Sequence, residues 1–148
     1  MLNSITFCIP GEPKGKGRPR FTKPKGADFV KTYTPDATAS YENLVKVMYL
    51  NVAGQQKLEG PLKMEIVALF PIPKSKSKKV QAAMRSKELL PTVKCDVDNI
   101  AKIIMDALNK VAFDDDKQIV MLYCSKSYDD NPRVVVNLYE LREKEKKQ

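Results

Sequence analysis

The chain has 148 residues, 43% of them hydrophobic and 30% charged, and carries a net charge of +8. This composition excludes wholesale disorder and suits one domain with a real core, while the basic balance points to a polyanionic partner. There is no histidine, which excludes Cys/His zinc clusters and nucleophiles activated by an imidazole.

No apolar run approaches the roughly 20 residues of a membrane span. The N-terminal "MLNSITFCIPGEPKG" lacks the basic start and long apolar stretch of a signal peptide. Cys8, Cys95 and Cys124 are odd in number and far apart, as expected of reduced thiols in a cytoplasmic protein.

Leu2 to Ile9 is rich in β-branched residues and partly alternating, which predicts a strand. Residues 10–33, dense in proline, glycine and bases, predict a long loop. Thr34 as N-cap, Pro35 at the first helical position and Gly54 past the end frame a helix. Its apolar face is expected to hold Ala37, Tyr41, Leu44, Val45, Met48 and Val52. Leu62, Met64, Ile66 and Ala68 mark one face of a second strand, ended by Pro71 and Pro73. Lys78 to Leu89 predicts a short helix in a second basic segment.

Ile100, Ile103, Ile104, Ala107, Leu108 and Val111 recur at helical spacing, with Asp98, Lys102, Asp106 and Asn109 on the other side. Two strands follow, Ile119 to Tyr128 and Arg133 to Leu141, joined by a turn at Asp129–Pro132. The expected fold is α+β, with one domain over residues 1–141. It has a mixed β-sheet of about four strands and two main helices packed on one face. Residues 142–148 form a charged C-terminal tail.

Five carboxylates bracket the second main helix. Asp98 is read as its cap, with Asp96 just before it on extended chain, where the partly positive helix N-terminus favours both. Asp114, Asp115 and Asp116 follow the helix, in a loop expected to bring Asp115 and Asp116 back toward its start. A capped helix, an Asp98–Lys102 surface pair and a solvated turn account for the bare pattern equally well. Two features favour a site. Hard cations such as Mg²⁺ are held by a few carboxylates with waters and substrate phosphates, and the basic remainder attracts phosphates. An EF-hand does not fit, because no glycine stands at the turn and Ile100 occupies a ligand position.

These residues also carry a resemblance. Asp96, Asp98, Asn99, Ile100 and Lys102, then Asp106 to Asn109, then Asp115, Asp116, Gln118 and Ile119 resemble the signature of the RusA family of Holliday-junction resolvases. The loop "GEPKGKGRPRF" is similar to the lead-in loop of many members. The resemblance implies a small homodimeric endodeoxyribonuclease of DNA recombination and repair, often encoded by phages or prophages. It would nick opposing strands of four-way DNA junctions with Mg²⁺ or Mn²⁺. By the same resemblance, catalysis falls to Asp96, Asp98, Lys102 and Asp116, and metal binding to Asp96, Asp98, Asp115 and Asp116. The chain departs from the family in having Lys110 where a glycine is common, and Asp114 as an extra acid. The rival readings are a non-catalytic basic nucleic-acid-binding protein and a nuclease acting on other branched DNA.

Seven Lys and Arg lie between Glu12 and Lys31, and seven more between Pro73 and Lys94. Lys14, Lys16, Arg18, Arg20, Lys74, Lys76, Lys78 and Lys79 are the expected DNA-backbone contacts, which position a protein without reading sequence. Phe21, set among the bases, is a candidate wedge at a branch point.

Overall fold

The computed structural model describes residues 2–17, 20–23, 25–26, 29–33 and 36–142, with the backbone alone for 20–22 and 31–33. In chain order the elements are β1 (Ser4–Pro10), β2 (Arg20–Thr22), β3 (Lys31–Tyr33), α1 (Asp36–Ala53), β4 (Leu62–Pro71), α2 (Lys78–Arg85), α3 (Val97–Leu108), β5 (Ile119–Asp129) and β6 (Arg133–Glu140).

Four strands make a mixed sheet in the order β1-β6-β4-β5, with β4 and β5 parallel and the other pairs antiparallel. Alternation sets its inner face. Ile5, Phe7 and Ile9 of β1 stand beside Leu138, Val136 and Val134 of β6. Those three in turn stand beside Met64, Ile66 and Ala68 of β4, and all nine are buried. Tyr41, Val45 and Tyr49 of α1 and Ile100, Ile103, Ile104, Ala107 and Leu108 of α3 complete this core. This is the expected α+β arrangement.

Burying a large aliphatic side chain is worth about 1.5–3 kcal/mol, against about 1 kcal/mol for a helix cap. Four fully buried side chains, Ile100, Ile103, Ile104 and Leu108, therefore hold α3 far more firmly than its ends do. The α1 face differs from expectation at three places. Ala37 and Val52 are exposed, while Tyr49 is fully buried. The Tyr49 ring meets Phe7 edge-on at 5.6 Å, and its hydroxyl donates to the Gln56 carbonyl.

Two differences from the sequence reading matter for the site. Arg20–Thr22 and Lys31–Tyr33 form a small antiparallel pair inside the expected loop; strands of three residues leave no periodic signal. In addition, β5 and β6 do not pair with each other, although only three residues join them. The Asp130–Pro132 turn carries the chain past the end of β4, which lies between them. The run Leu62–Phe70 is apolar enough to demand that central place. Thr34 and Pro35, the expected start of α1, and nearly all of the tail, residues 143–148, lie outside the described residues.

Candidate active site

Asp96, not Asp98, occupies the N-cap position of α3. Its main-chain carbonyl accepts from the Ile100 N–H at 3.0 Å, while its carboxylate makes no capping hydrogen bond. Asp98 lies in the first turn. Both are exposed, and neither forms an ion pair among the described residues. Two unspent carboxylates thus stand at the positive end of a firmly packed helix.

The loop Pro13–Gly17 is clamped across this end. The Lys16 N–H donates to the Asn99 carbonyl at 3.0 Å, and the Gly17 N–H donates to Thr38 Oγ1 at 3.1 Å. A Cβ on Gly15 would come within 2.8 Å of the Cys95 Cβ and 3.1 Å of the Asn99 Cβ, so the approach requires glycine. A groove of about 440 Å³ opens between Gly15–Gly17 and Lys94, Cys95, Asp96 and Asn99. Beneath the loop lies Tyr41, 7% exposed. Its hydroxyl has no hydrogen-bond partner among the described residues, and burial pushes its pKa up to about 12. The nearby Lys14 amide offsets part of that rise without the geometry of a hydrogen bond.

The second acidic group is built at the opposite end of α3. Phe113, fully buried, anchors the loop before Asp114. The Asp116 N–H donates to Asn109 Oδ1 at 3.1 Å. Gln118 Oε1 accepts from the N–H groups of Asp114 and Asp115 at 3.0 and 3.1 Å, and Gln118 Nε2 donates to the Gly60 carbonyl at 3.1 Å. The Asp115 carboxylate accepts from the Lys117 N–H at 2.9 Å, which holds its pKa below the usual carboxylate range. Asp114 is paired with Lys57 at 3.1 Å.

The expected return of Asp115 and Asp116 to the start of the helix does not occur. Asn109 and Gln118 hold the acidic loop at the C-terminal end, and the 12 residues of α3 rise about 18 Å. Among the described residues, no three Asp, Glu or Cys side chains come together as a metal site.

Lys102 is exposed and pairs not with Asp98 but with Asp106 at 3.6 Å. Lys16 is half-buried and paired with Glu42 at 2.5 Å and Asp106 at 3.2 Å. Burial alone would lower its pKa, but hydrogen bonds to the two carboxylates raise it. Lys14, Lys74, Lys76, Lys78 and Lys79 are exposed, and none pairs with a carboxylate among the described residues. Lys78 and Lys79 stand in the first turn of α2, capped by Ser77, where they oppose the helix dipole. Arg18 and the side chains of Arg20 and Phe21 lie outside the described residues.

Asn109, Gln118, Asp106 and Glu42 join the site without a role foreseen from sequence. The first three sit inside the acidic signature; Glu42, in the middle of α1, carried no signal. The oxygen-only donor set fits a hard divalent cation, and Asp96, Asp98 and Asp116 are free of ion pairs among the described residues. Among those residues, no helix is long and apolar enough to cross a membrane.

Comparison with known proteins gives the chain its relatives. The chain is 34% identical over 142 residues to the uncharacterized protein YqaN of Bacillus subtilis (strain 168), an alignment covering 95% of this chain and 99% of that protein. The family described as endodeoxyribonuclease RusA matches residues 10–139. That span takes in the clamped loop, both acidic groups and three of the four main-sheet strands almost whole, and the chain belongs to the RusA endodeoxyribonuclease family.

Proposed function

We propose that residues 1–141 form a Mg²⁺-dependent nuclease that resolves four-way DNA junctions by paired nicks in recombination and repair, acting as a two-fold homodimer. The observation that carries the dimer is the length of α3, which keeps Asp96 and Asp98 apart from Asp115 and Asp116 within one chain. A site that uses both groups takes one from each copy.

The surface for this is β5. Val120, Met121, Leu122 and Tyr123 are 61, 42, 44 and 57% exposed, and the run Ile119–Ser125 carries no charge in a chain of net +8. One edge of β5 is paired with β4. Its other edge offers N–H and C=O groups that an identical strand, running antiparallel about a two-fold axis, can satisfy. The strand follows the acidic loop, whose Asp116 lies beside Asn109, and passes the start of α3 at Cys124, whose thiol reaches the Val97 carbonyl at 3.5 Å. It therefore spans the distance between the two acidic groups, and antiparallel pairing brings the acidic loop of one copy toward the α3 start of the other.

Asp96 and Asp98 with the partner's Asp115 and Asp116 would hold the cation, Mg²⁺ or Mn²⁺. When bound, it supplies the Lewis acidity that stabilises charge on the phosphate and leaving oxygen. Lys102 sets a positive charge against the same phosphate. Lys14, Lys74, Lys76, Lys78 and Lys79 seat the DNA backbone; a phosphate beside α2 would offset the cost of two lysines at its N-terminus.

The test is a labelled four-way junction, a matched duplex and a Y-fork, each with Mg²⁺ and with EDTA. Symmetric nicks in the junction alone, lost with EDTA, are expected; equal cutting of the Y-fork would shift the reading to other branched DNA, and tight binding without cutting would end the nuclease reading. Mixing the Asp98→Asn and Asp116→Asn variants, each inactive, restores one intact site per heterodimer. A mixture as inactive as its components would refute a site shared between copies.

A further inference from the structure

The exposed carboxylates, β5 and the basic segments are taken up by the reading above, but one cluster of charges is not. It starts at Glu42 on α1, passes through Lys16 in the clamped loop and ends on α3. Lys16 Nζ lies 2.5 Å from Glu42 and 3.2 Å from Asp106 Oδ2. Lys102 Nζ lies 3.6 Å from that same Asp106 oxygen. The Lys16 and Glu42 side chains are each 17% exposed, Asp106 is 29% exposed, and Lys102 is 62% exposed. The buried end is thus tight and the outer end loose.

Lys102 has two carboxylates one helical turn away, Asp98 before it and Asp106 after it. The order Glu/Asp then Lys at this spacing favours the first on an isolated helix. Here the second is taken, which leaves Asp98 without an ion pair among the described residues. Asp106 is fixed for this role, because Lys16 grips it from a loop that is itself hydrogen-bonded to Asn99 and Thr38. The grip also shares out the negative charge of Asp106 between two ammonium groups. Its hold on Lys102 is accordingly weak, a 3.6 Å exposed pair of the kind that contributes little to stability.

We infer that Glu42, Lys16 and Asp106 are positioning residues, which hold Lys102 away from Asp98 and release it to the arriving phosphate. This rests on the reading of Lys102 as the residue facing that phosphate. It reassigns Lys16 from a DNA contact to an internal brace. Lys102→Asp98 pairing would otherwise neutralise a carboxylate needed for the cation and withdraw the ammonium from the substrate.

The test is a set of single and paired variants, Lys16→Met, Asp106→Asn and Lys102→Met, read by single-turnover nicking and by junction binding. Lys16→Met and Asp106→Asn are each expected to slow nicking about two- to threefold with junction binding unchanged, and to add nothing in a Lys102→Met background. Asp106→Glu restores part of the rate. Equal losses with and without Lys102 would overturn the inference in favour of a merely structural brace. A weaker, less salt-dependent junction affinity in Lys16→Met would return that lysine to the DNA surface.

A second measurement needs no activity. The NMR shift of the Lys102 Cε, expected to move in Lys16→Met and Asp106→Asn, refutes the coupling if it stays fixed. A wild-type protein that nicks no junction, yet shows coupled shifts, would fail the resolvase reading and leave the charge relay standing.

Discussion

Gly15 sits so close to Cys95 that a methyl group on it would meet the Cys95 Cβ at 2.8 Å. The neighbour is a Cβ next to the main chain of the α3 N-terminus, not the end of a flexible side chain, so the loop or the helix must move. Gly15→Ala is expected to cost about 1–3 kcal/mol of stability, seen as a lower Tm. Because the displaced segment carries Asp96, nicking should slow more than the stability loss explains at a temperature where the variant stays folded. A variant with unchanged Tm and rate would show that the loop is not clamped as described.

Tyr41 makes alkaline stability depend on one phenol. Burial raises its pKa to about 12, against an unfolded value near 10. The stabilising difference is complete below pH 10 and is lost as pH rises from about 10 to 12, up to about 2–3 kcal/mol. Lys16, also raised, adds loss in the same direction above its own unfolded value. Tyr41→Phe should flatten this limb, leaving the lysine part, and should not weaken the fold at pH 8, since the lost hydroxyl has no partner among the described residues. Denaturant unfolding at pH 8 and pH 11 gives the comparison; equal slopes with and without the hydroxyl would contradict it.

Lys110 adopts φ +69°, a left-handed conformation that costs a non-glycine residue about 1–2 kcal/mol. Glycine recovers that strain and loses part of it to chain entropy. Lys110→Gly is therefore expected to raise stability by about 0.5–1 kcal/mol with nicking unchanged. A drop would mean that the Lys110 ammonium, 3.3 Å from the Asp114 carbonyl, contributes more than the strain costs.

Placing a charge in the neutral β5 edge should break the proposed dimer. Leu122→Glu, 44% exposed in the single chain, is expected to stay folded with a Tm lowered only by loss of the partner, sediment as a monomer and lose nicking. A dimer that survives this change pairs elsewhere, and the exposed Val47, Leu50 and Val52 of α1 would be the next surface to alter.

Binding to the junction should weaken steeply with salt. Each phosphate neutralised by a lysine or arginine contributes about −0.9 to the slope of log affinity against log salt. Replacing Lys74, Lys76, Lys78 and Lys79 together by serine should flatten the slope by about one for each phosphate left without its lysine. An unchanged slope would remove this segment from the DNA surface.

β4, β6 and α3 are legible because their apolar residues keep the period of their element, while α1 is framed by its end signals and β5 by its β-branched and aromatic run. The six positions from Ile100 to Val111 outlined α3, although the helix itself stops at Leu108. The small β2–β3 pair was not legible, since three-residue strands have no period to read. Nor was the position of β5. A short turn between two strands favours a hairpin, and only the long-range demand of β4 for two neighbours separates them. At the site, residue types were readable from the signature but their distances were not. Whether the acidic loop folds back along α3 depends on Asn109 and Gln118 hydrogen bonds that no local pattern encodes.

The strand order β1-β6-β4-β5 also determines what kind of edge the sheet presents. A strand at a chain terminus is held at one end and frays readily. Of the two outer strands, β1 and β5, β5 is an internal segment stitched down twice: before it by the acidic loop, and after it by the turn that rounds β4. Whatever docks along β5 meets a rail already straightened and fixed in register, and little ordering remains to be done on contact. The same anchoring makes the strand a ruler, so that a shift in its register would move the acidic loop relative to the start of α3 by one residue step.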